Sequence, residues 1–404
     1  MKTLKFIHTA DWHADSDPKK QEKLNASLDQ LLNYVKENDV TAIIHAGDVW
    51  EKNQSYSDKS GVPLVVLYLK AISKYVDYIF ITKGNNSHDE PGSISLLHQI
   101  EPNIIAYEYP VVLGIVKNDD YSILDLMRNE PDDFDEFQYI VSLVPYPTKS
   151  GFITTTSIDN NNADFLEKFE QIFELIGDIT QPYSCPKILA FHGNVVGSRL
   201  STGQTLVSQD IMVAPSTLEK AKHDYCALGH IHLRQEIKPW MKYSGSIYNK
   251  SWGETEQKSF EVIEYLDKEY TTDRIMFKAA RPMEKIELEY KDGQFYTPDF
   301  ENDHDGIPES INENAEHRLR IKVKENDRKL ITAEVLNDLK FRYGDDAKIE
   351  FNIIPNERES RSEEIMHCKS LLDEVVEYST VSNQDVSESA KQKVLSLQEE
   401  KVFS

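Results

Sequence analysis

The chain has 404 residues, 39% of them hydrophobic and 10% aromatic, enough to bury a large core and to form a catalytic domain of about 250 residues with smaller additions. No apolar run approaches the roughly 20 residues of a membrane span. The first ten residues lack the apolar stretch and cleavage site of a secretory signal, and Cys185, Cys226 and Cys368, with no Cys-x-x-Cys spacing, argue against a disulfide framework or a thiolate zinc site. A reducing, cytoplasmic setting is expected. The net charge of −24 speaks against nucleic-acid phosphates as a partner unless bound cations or a basic partner supply positive charge.

Leu4 to Thr9 reads as a strand, and Leu24, Leu28, Leu31, Leu32 and Val35 follow at helical spacing. Val40 to His45 is a second apolar strand, Pro63 to Tyr75 a helix with proline in its first turn, and Tyr78 to Thr82 a third strand. This alternation is that of an α/β domain. Further strands are expected at Tyr139–Val144, Lys187–Phe191, Tyr225–Leu228 and Lys242–Ser244, and Asp159–Asn162 looks like a loop. Between Ala279 and Glu313 the sequence turns acidic and loses periodicity, which places a domain boundary there. Beyond it, Leu319, Ile321 and Val323 alternate, Ile331–Arg342 is helical and Lys348–Ile354 alternates again, a small βαβ-like cap. From Glu363 to Glu400 two amphipathic segments, around Leu371, Leu372, Val375 and Val376 and around Val394, Leu395 and Leu397, form a helical tail. The expected division is 1–280, 281–360 and 361–404. The acidic runs at Asp132, Asp133, Asp135 and Glu136 and at Asp299, Glu301, Asp303 and Asp305 read as solvated surface.

The chemistry-bearing residues sit just after the strands. Asp11 and His13 follow the first, Gly47 and Asp48 the second, and Gly84, Asn85, Asn86, Ser87, His88 and Asp89 the third. Ligands of open α/β sheets bind at these strand ends. Each pair alone is as compatible with an ordinary turn, but His192 after Lys187–Phe191, and His230 with His232 after Tyr225–Leu228, complete a set that unrelated turns do not explain. His-x-His on extended backbone turns both imidazoles to one face. Carboxylates, an amide and imidazoles together suit manganese, zinc or iron better than calcium. His45 reads as a core or near-site residue, Trp12 and Trp50 as packing beside the motifs, and His98, His223, His304, His317 and His367 receive no role.

Asp11-x-His13, Gly47-Asp48, Gly84-Asn85 with His88, His192 and Gly229-His230-x-His232 resemble, in that order, the calcineurin-like metallophosphoesterases. The stretches His8-Thr9-Ala10-Asp11-Trp12-His13, Tyr225-Cys226-Ala227-Leu228-Gly229-His230-Ile231-His232, Tyr243-Ser244-Gly245-Ser246 and Trp252-Gly253-Glu254 are similar to SbcD-type nuclease subunits over roughly the first 260 residues. The resemblance implies a four-layer α/β/β/α sandwich with a small C-terminal α+β capping domain and helical tail. It also implies two divalent metal ions, with Mn2+ favoured, held by Asp11, His13 and His232 and by a third-motif amide, His192 and His230, with Asp48 between them and His88 as the catalytic histidine. The implied activity is exonuclease and endonuclease cleavage of DNA by a homodimer working with an SbcC-type coiled-coil ABC ATPase. The chain departs from the family's Gly-Asn-His-Asp by two extra residues before His88-Asp89, so Asn85, Asn86 and Ser87 are all candidates for the third-motif ligand. Asn85 is favoured by its place at the strand end. A nucleotide or phosphomonoester phosphoesterase, and a structural subunit with an attenuated centre, are the alternatives.

Overall fold

The computed structural model describes residues 3–52, 60–116, 122–129, 137–148, 162–201, 211–266, 269–297, 311–355, 367–382 and 385–400. The two acidic runs, His304 and most of the Asp159–Asn162 segment lie outside the described residues. The chain divides into two compact units, residues 1–286 with 310–319 and 340–348, and residues 287–309 with 320–339 and 349–404.

In the first unit β1 (Leu4–Thr9), β2 (Ala42–His45), β3 (Tyr78–Thr82) and β4 (Ile104–Tyr107) are parallel neighbours. A second sheet gathers β5 (Val111–Val116), β6 (Ile123–Asp125), β7 (Phe137–Val144) and β8 (Lys187–His192). After the short parallel pair β9 (Asn194–Val195) and β10 (Met212–Val213), it is extended by β11 (Tyr225–Gly229), β12 (Gln235–Lys238) and β13 (Met241–Tyr243). The chain then returns to the first sheet with the antiparallel hairpin of β14 (Ser259–Leu266) and β15 (Glu269–Met276). The orders are β15-β14-β1-β2-β3-β4 and β12-β13-β11-β8-β7-β5-β6.

Strand periodicity sorts side chains between three apolar cores. Phe6, Ala42, Ile44 and Phe80 face one way and meet Leu113, Tyr139, Val141, Ala190 and Ala227 of the second sheet. Ile7, Ile43, Ile79 and Ile81 face the other way and are covered by Leu24, Leu28, Leu31 and Val35 of α1 (Pro18–Glu37) and Val65, Leu69 and Ile72 of α2 (Val62–Ile72). The outer face of the second sheet, with Ile140, Leu189, Phe191 and Leu228, is covered by Phe169, Phe173 and Ile176 of α3 (Asn162–Thr180) and Leu218 of α4 (Pro215–Glu219). Each such side chain contributes about 1.5–3 kcal/mol on burial, so both sheets are held from both faces. α1 begins where Asp17 accepts from the Lys19 amide at 2.9 Å and Pro18 occupies the first turn.

Beyond residue 283, β16 (Met283–Lys291), β17 (Gln294–Tyr296), β18 (Glu316–Lys324) and β19 (Lys348–Ile354) form a sheet in the order β17-β16-β18-β19. α5 (Ala333–Tyr343) lies between β18 and β19 in the chain. Leu319, Ile321 and Val323 alternate inward on β18, as their spacing predicts. Two helices end the described chain, α6 (Leu371–Ser382) and α7 (Glu388–Glu400), with Leu371, Val376, Tyr378, Leu395 and Leu397 exposed. Among the described residues no helix is long and apolar enough to cross a membrane.

Candidate metal centre

The segments that follow β1, β2, β3, β8 and β11 bring their side chains together between the edges of the two sheets. The first two are laced to each other: the amides of Asp11, His13 and Ala14 donate to the carbonyls of Gly47, Asp48 and Val49 at 3.0, 3.1 and 2.9 Å. Their corners are unusual, because Asp11, His13, Asp48 and His230 all have positive φ, at 54°, 44°, 58° and 100°. Such backbone is disfavoured for residues with a Cβ and gathers at functional sites. At Gly84 the approach is too close for any side chain, since a Cβ would lie 2.0 Å from Asp48 Oδ1.

Two donor clusters result among the described residues, beside a third group of His13, Glu51 and His88 that shares His13 with the first. Asp11, His13 and His232 bring one ligand atom each within 4.8 Å of one another, as do Asp48, His192 and His230. Asp48 stands between the clusters, with Oδ2 3.8 Å from His13 Nε2 and Oδ1 3.3 Å from His192 Nε2. Nδ1 of His192 donates to the Ala46 carbonyl at 2.6 Å, which leaves Nε2 as a lone-pair donor. Nδ1 of His232 faces Glu254 Oε1 at 3.3 Å, with the same effect. Nε2 of His232 lies 3.0 Å from Nε2 of His13, whose Nδ1 lies 3.3 Å from both the Lys250 ammonium and the Glu51 carboxylate. The two Nε2 atoms converge, an arrangement suited to a shared cation.

The electrostatics point the same way. Asp11 and Asp48 are essentially unexposed, and among the described residues neither is salt-bridged to a lysine or arginine. Burial, then the charge of Asp48, pushes the Asp11 carboxyl well above its ordinary range. Asp48 is disfavoured by burial too, but the neighbouring His192 and other imidazoles outweigh this and hold it low. Burial holds His13, His192 and His232 below the usual imidazole value, hence neutral and able to ligate. This donor set fits divalent cations.

In the third motif, Asn85 donates its amide N–H to Asp48 Oδ1 at 3.0 Å, and its side-chain nitrogen lies 3.5 Å from Asp48 Oδ2. Asn86 and Ser87 are exposed; Asn86 pairs with Lys83, and Ser87 Oγ donates to Asn85 Oδ1 at 2.5 Å. Of the three candidates, Asn85 is therefore the one beside the cluster. His88 packs edge-on against His13, with ring centroids 4.5 Å apart, and its Nδ1 donates to the Glu51 carbonyl.

Sequence reading missed several neighbours. Glu51 and Lys250, 2.6 Å apart, back His13, and Glu254, 2.7 Å from Lys258, backs His232. Asp89 accepts from the amides of Asp48, Trp50 and Gly84 at 3.0, 3.1 and 2.7 Å and so ties the second and third motifs; burial and Asp48 push its carboxyl up to about 8. Only the Trp-Gly-Glu stretch and the residue after His88 hinted at any of these. His45 is buried and stacks edge-on with Trp12; Trp12 and Trp50 are almost wholly buried, which makes them packing residues.

The family described as calcineurin-like phosphoesterase matches residues 4–234. Three curated relatives are each named as the SbcD component of the nuclease SbcCD. That of Staphylococcus saprophyticus is 23% identical over 72% of this chain and 73% of its own. That of Bacillus subtilis is 24% identical over 70% and 72%, and that of Staphylococcus epidermidis 23% over 72% and 74%.

Proposed function

Because the chain belongs to the calcineurin-like phosphoesterase family, we propose that it is a metal-dependent nuclease that hydrolyses phosphodiester bonds in DNA as both exonuclease and endonuclease. The observation that carries this reading is the pair of donor clusters joined by Asp48. Asp11, His13 and His232 would hold one cation, Asn85, His192 and His230 the other, with one oxygen of Asp48 turned to each. Mn2+ suits these nitrogen and oxygen donors. When bound, two such cations supply an activated water and neutralise charge on the phosphoryl oxygens. His88, its Nδ1 hydrogen committed to the Glu51 carbonyl, would take a second proton from solvent on Nε2 and, as the imidazolium, pass that proton to the departing sugar oxygen. Asn85 presents its NH2 group to Asp48 and must turn its amide over to offer Oδ1 to a cation.

The two sheets, with helices outside each, fit the four-layer α/β/β/α sandwich of such enzymes. Residues 1–280 would be the nuclease domain, 281–360 the capping domain and 361–404 the partner-binding tail. The relatives' name describes one part of a larger nuclease, which supports assembly with an SbcC-type coiled-coil ABC ATPase in DNA end processing, repair and recombination; the homodimer is part of the same proposal. The exposed Leu371, Val376, Tyr378, Leu395 and Leu397 give the tail apolar faces for that partner. Bound cations and the partner would also offset the charge of −24.

The test is cleavage of linear duplex DNA in Mn2+, with chelator and His88→Ala controls and a p-nitrophenyl phosphodiester alongside. Metal- and His88-dependent DNA degradation supports the nuclease. Hydrolysis of the small ester alone points to a nucleotide or phosphomonoester phosphoesterase. Turnover of neither, with the ATPase present, points to a structural subunit whose lengthened third motif has attenuated the centre.

A further inference from the structure

The segment that follows His192 leaves the metal centre as an ordered loop. The buried Tyr243 hydroxyl donates to the Gly193 carbonyl at 2.7 Å and accepts from the Val195 amide at 2.9 Å. The Ser198 amide closes a turn on the Val195 carbonyl at 3.0 Å, with Gly197 at φ 94°, the left-handed position that such a turn gives to glycine. Arg199 comes next, and the buried side-chain amide of Gln235 holds its backbone twice: the Arg199 N–H donates to Oε1 at 2.8 Å, and Nε2 donates to the Arg199 carbonyl at 2.7 Å. Gln235 stands three residues past His232, a span of at most about 11 Å. The Arg199 peptide is thus anchored beside the centre, while its side chain is exposed and makes no hydrogen bond or ion pair among the described residues. Lys20, Lys250, Arg234 and Lys258 are by contrast committed to Asp15, Glu51, Glu261 and Glu254 at 2.6, 2.6, 2.7 and 2.7 Å. Glu256, the acid that meets the loop, already accepts from Ser201 at 2.8 Å and from Lys258 at 2.5 Å.

In a chain of net charge −24, a guanidinium kept clear of carboxylates is available to an anion from outside, and its planar fork matches two phosphate oxygens at once. With the peptide ordered beforehand, only the side chain is left to immobilise on binding. We infer that Arg199 binds a backbone phosphate of the DNA strand on the flank of the bond being cut, a second phosphate subsite built on the loop after His192. The inference rests on the nuclease reading above and adds a preference to it. One DNA strand carries a charge every 3.4 Å or about that along its axis, so phosphates a few nucleotides from the scissile one come within reach of the loop. A small phosphodiester offers no such group.

The test is fluorescence anisotropy of a labelled duplex oligonucleotide with the full chain in Mn2+, over a series of salt concentrations. His88→Ala is present throughout to slow cleavage, alone or combined with Arg199→Gln, Arg199→Lys or Lys222→Gln, and circular dichroism confirms each fold. Turnover of DNA and of a p-nitrophenyl phosphodiester is measured for the same changes without His88→Ala. Arg199→Gln should weaken binding about 10-fold and lower the slope of log affinity against log salt by about 1, the share of one phosphate contact. Arg199→Lys should keep the slope. Lys222→Gln, on the outer side of the second sheet near Asp178, should change neither. In turnover, Arg199→Gln should raise KM for DNA rather than lower kcat, and the preference for DNA over the small ester should fall about 10-fold. Wild-type affinity and slope in Arg199→Gln, a loss that Lys222→Gln matches, or a fall in kcat in place of the KM effect would overturn the inference and leave the nuclease reading standing. Binding that depends on Arg199 without any DNA cleavage would uphold the subsite and overturn the nuclease reading. No binding of DNA at all would overturn both.

Discussion

Nε2 of His13 and Nε2 of His232, contributed by opposite sheets, meet at 3.0 Å. A cation taken up there ties the sheets together in the folded state only, so binding adds to stability by mass action. Mn2+ at about 100 times its dissociation constant should stabilise the metal-stripped chain by about 2.7 kcal/mol per site. A thermal melt with and without Mn2+ checks this, and His13→Ala and His232→Ala should lose most of the rise. An unchanged midpoint in wild type would contradict the cluster's role.

His88 contacts the centre from its rim and is absent from both donor clusters that Asp48 joins. His88→Ala should therefore lower turnover of a phosphodiester by about 100-fold or more, the contribution of a proton-transfer group, while Mn2+ binding stays within a factor of about two. Equal loss of binding and turnover would make His88 a ligand instead.

The third motif can be resolved by substitution. Asn85→Ala should weaken Mn2+ uptake at one site, whereas Asn86→Ala and Ser87→Ala, at exposed positions, should leave it unchanged in a Mn2+ titration. Should Ser87→Ala be the damaging change, the ligand would be the residue nearest His88.

Gly84→Ala tests how closely the motifs are packed. Its Cβ would lie 2.0 Å from Asp48 Oδ1 and 2.3 Å from the Asp48 amide, so the second and third motifs must move apart. Loss of one Mn2+ equivalent with a folded far-ultraviolet spectrum is expected. Full retention of both equivalents would show that the loops yield freely.

Acid stability should depend on a histidine far from these chemical roles. His223 is buried, with Nε2 2.9 Å from Ser142 Oγ and Nδ1 donating to the Ala221 carbonyl at 2.7 Å, and burial lowers its pKa from 6.5 to about 4. A depressed folded value means the folded state resists protonation. Its contribution is complete above pH 6.5 and is lost as pH falls from 6.5 towards 4, by about 3 kcal/mol in all. His223→Gln should flatten the pH dependence of the denaturant midpoint across that interval. A variant with the wild-type slope would locate the sensitivity elsewhere.

The strands that carry the motifs were legible because they are short apolar runs ending in a polar corner; β1, β3 and β19 fall where their patterns place them. The β14–β15 hairpin was not, since Ser259–Leu266 interleaves Glu261 and Glu264 with apolar residues and β15 is mostly exposed. β5 was missed, although Val111–Val116 is apolar, because no chemical motif follows it. α3 starts at Asn162, the last residue of the expected loop, and its Phe169, Phe173 and Ile176 cover a sheet face, a helix the local pattern did not announce. In the candidate site the donor types could be read from the motifs, but their support could not. Lys250 meets His13 across 237 positions of chain, a relation no local spacing encodes.

The left-handed backbone at Asp11, His13, Asp48 and His230 sets fold and chemistry against each other at the same positions. A residue with a Cβ held there costs roughly 1–3 kcal/mol, a strain the packed sheets must absorb, and glycine would be released from it. Replacing Asp48 by glycine should thus give a more robust protein than replacing it by alanine, both inert. Selection for robustness alone would erode these corners first. Anyone grafting the donor set onto another scaffold must carry over the bends as well as the letters.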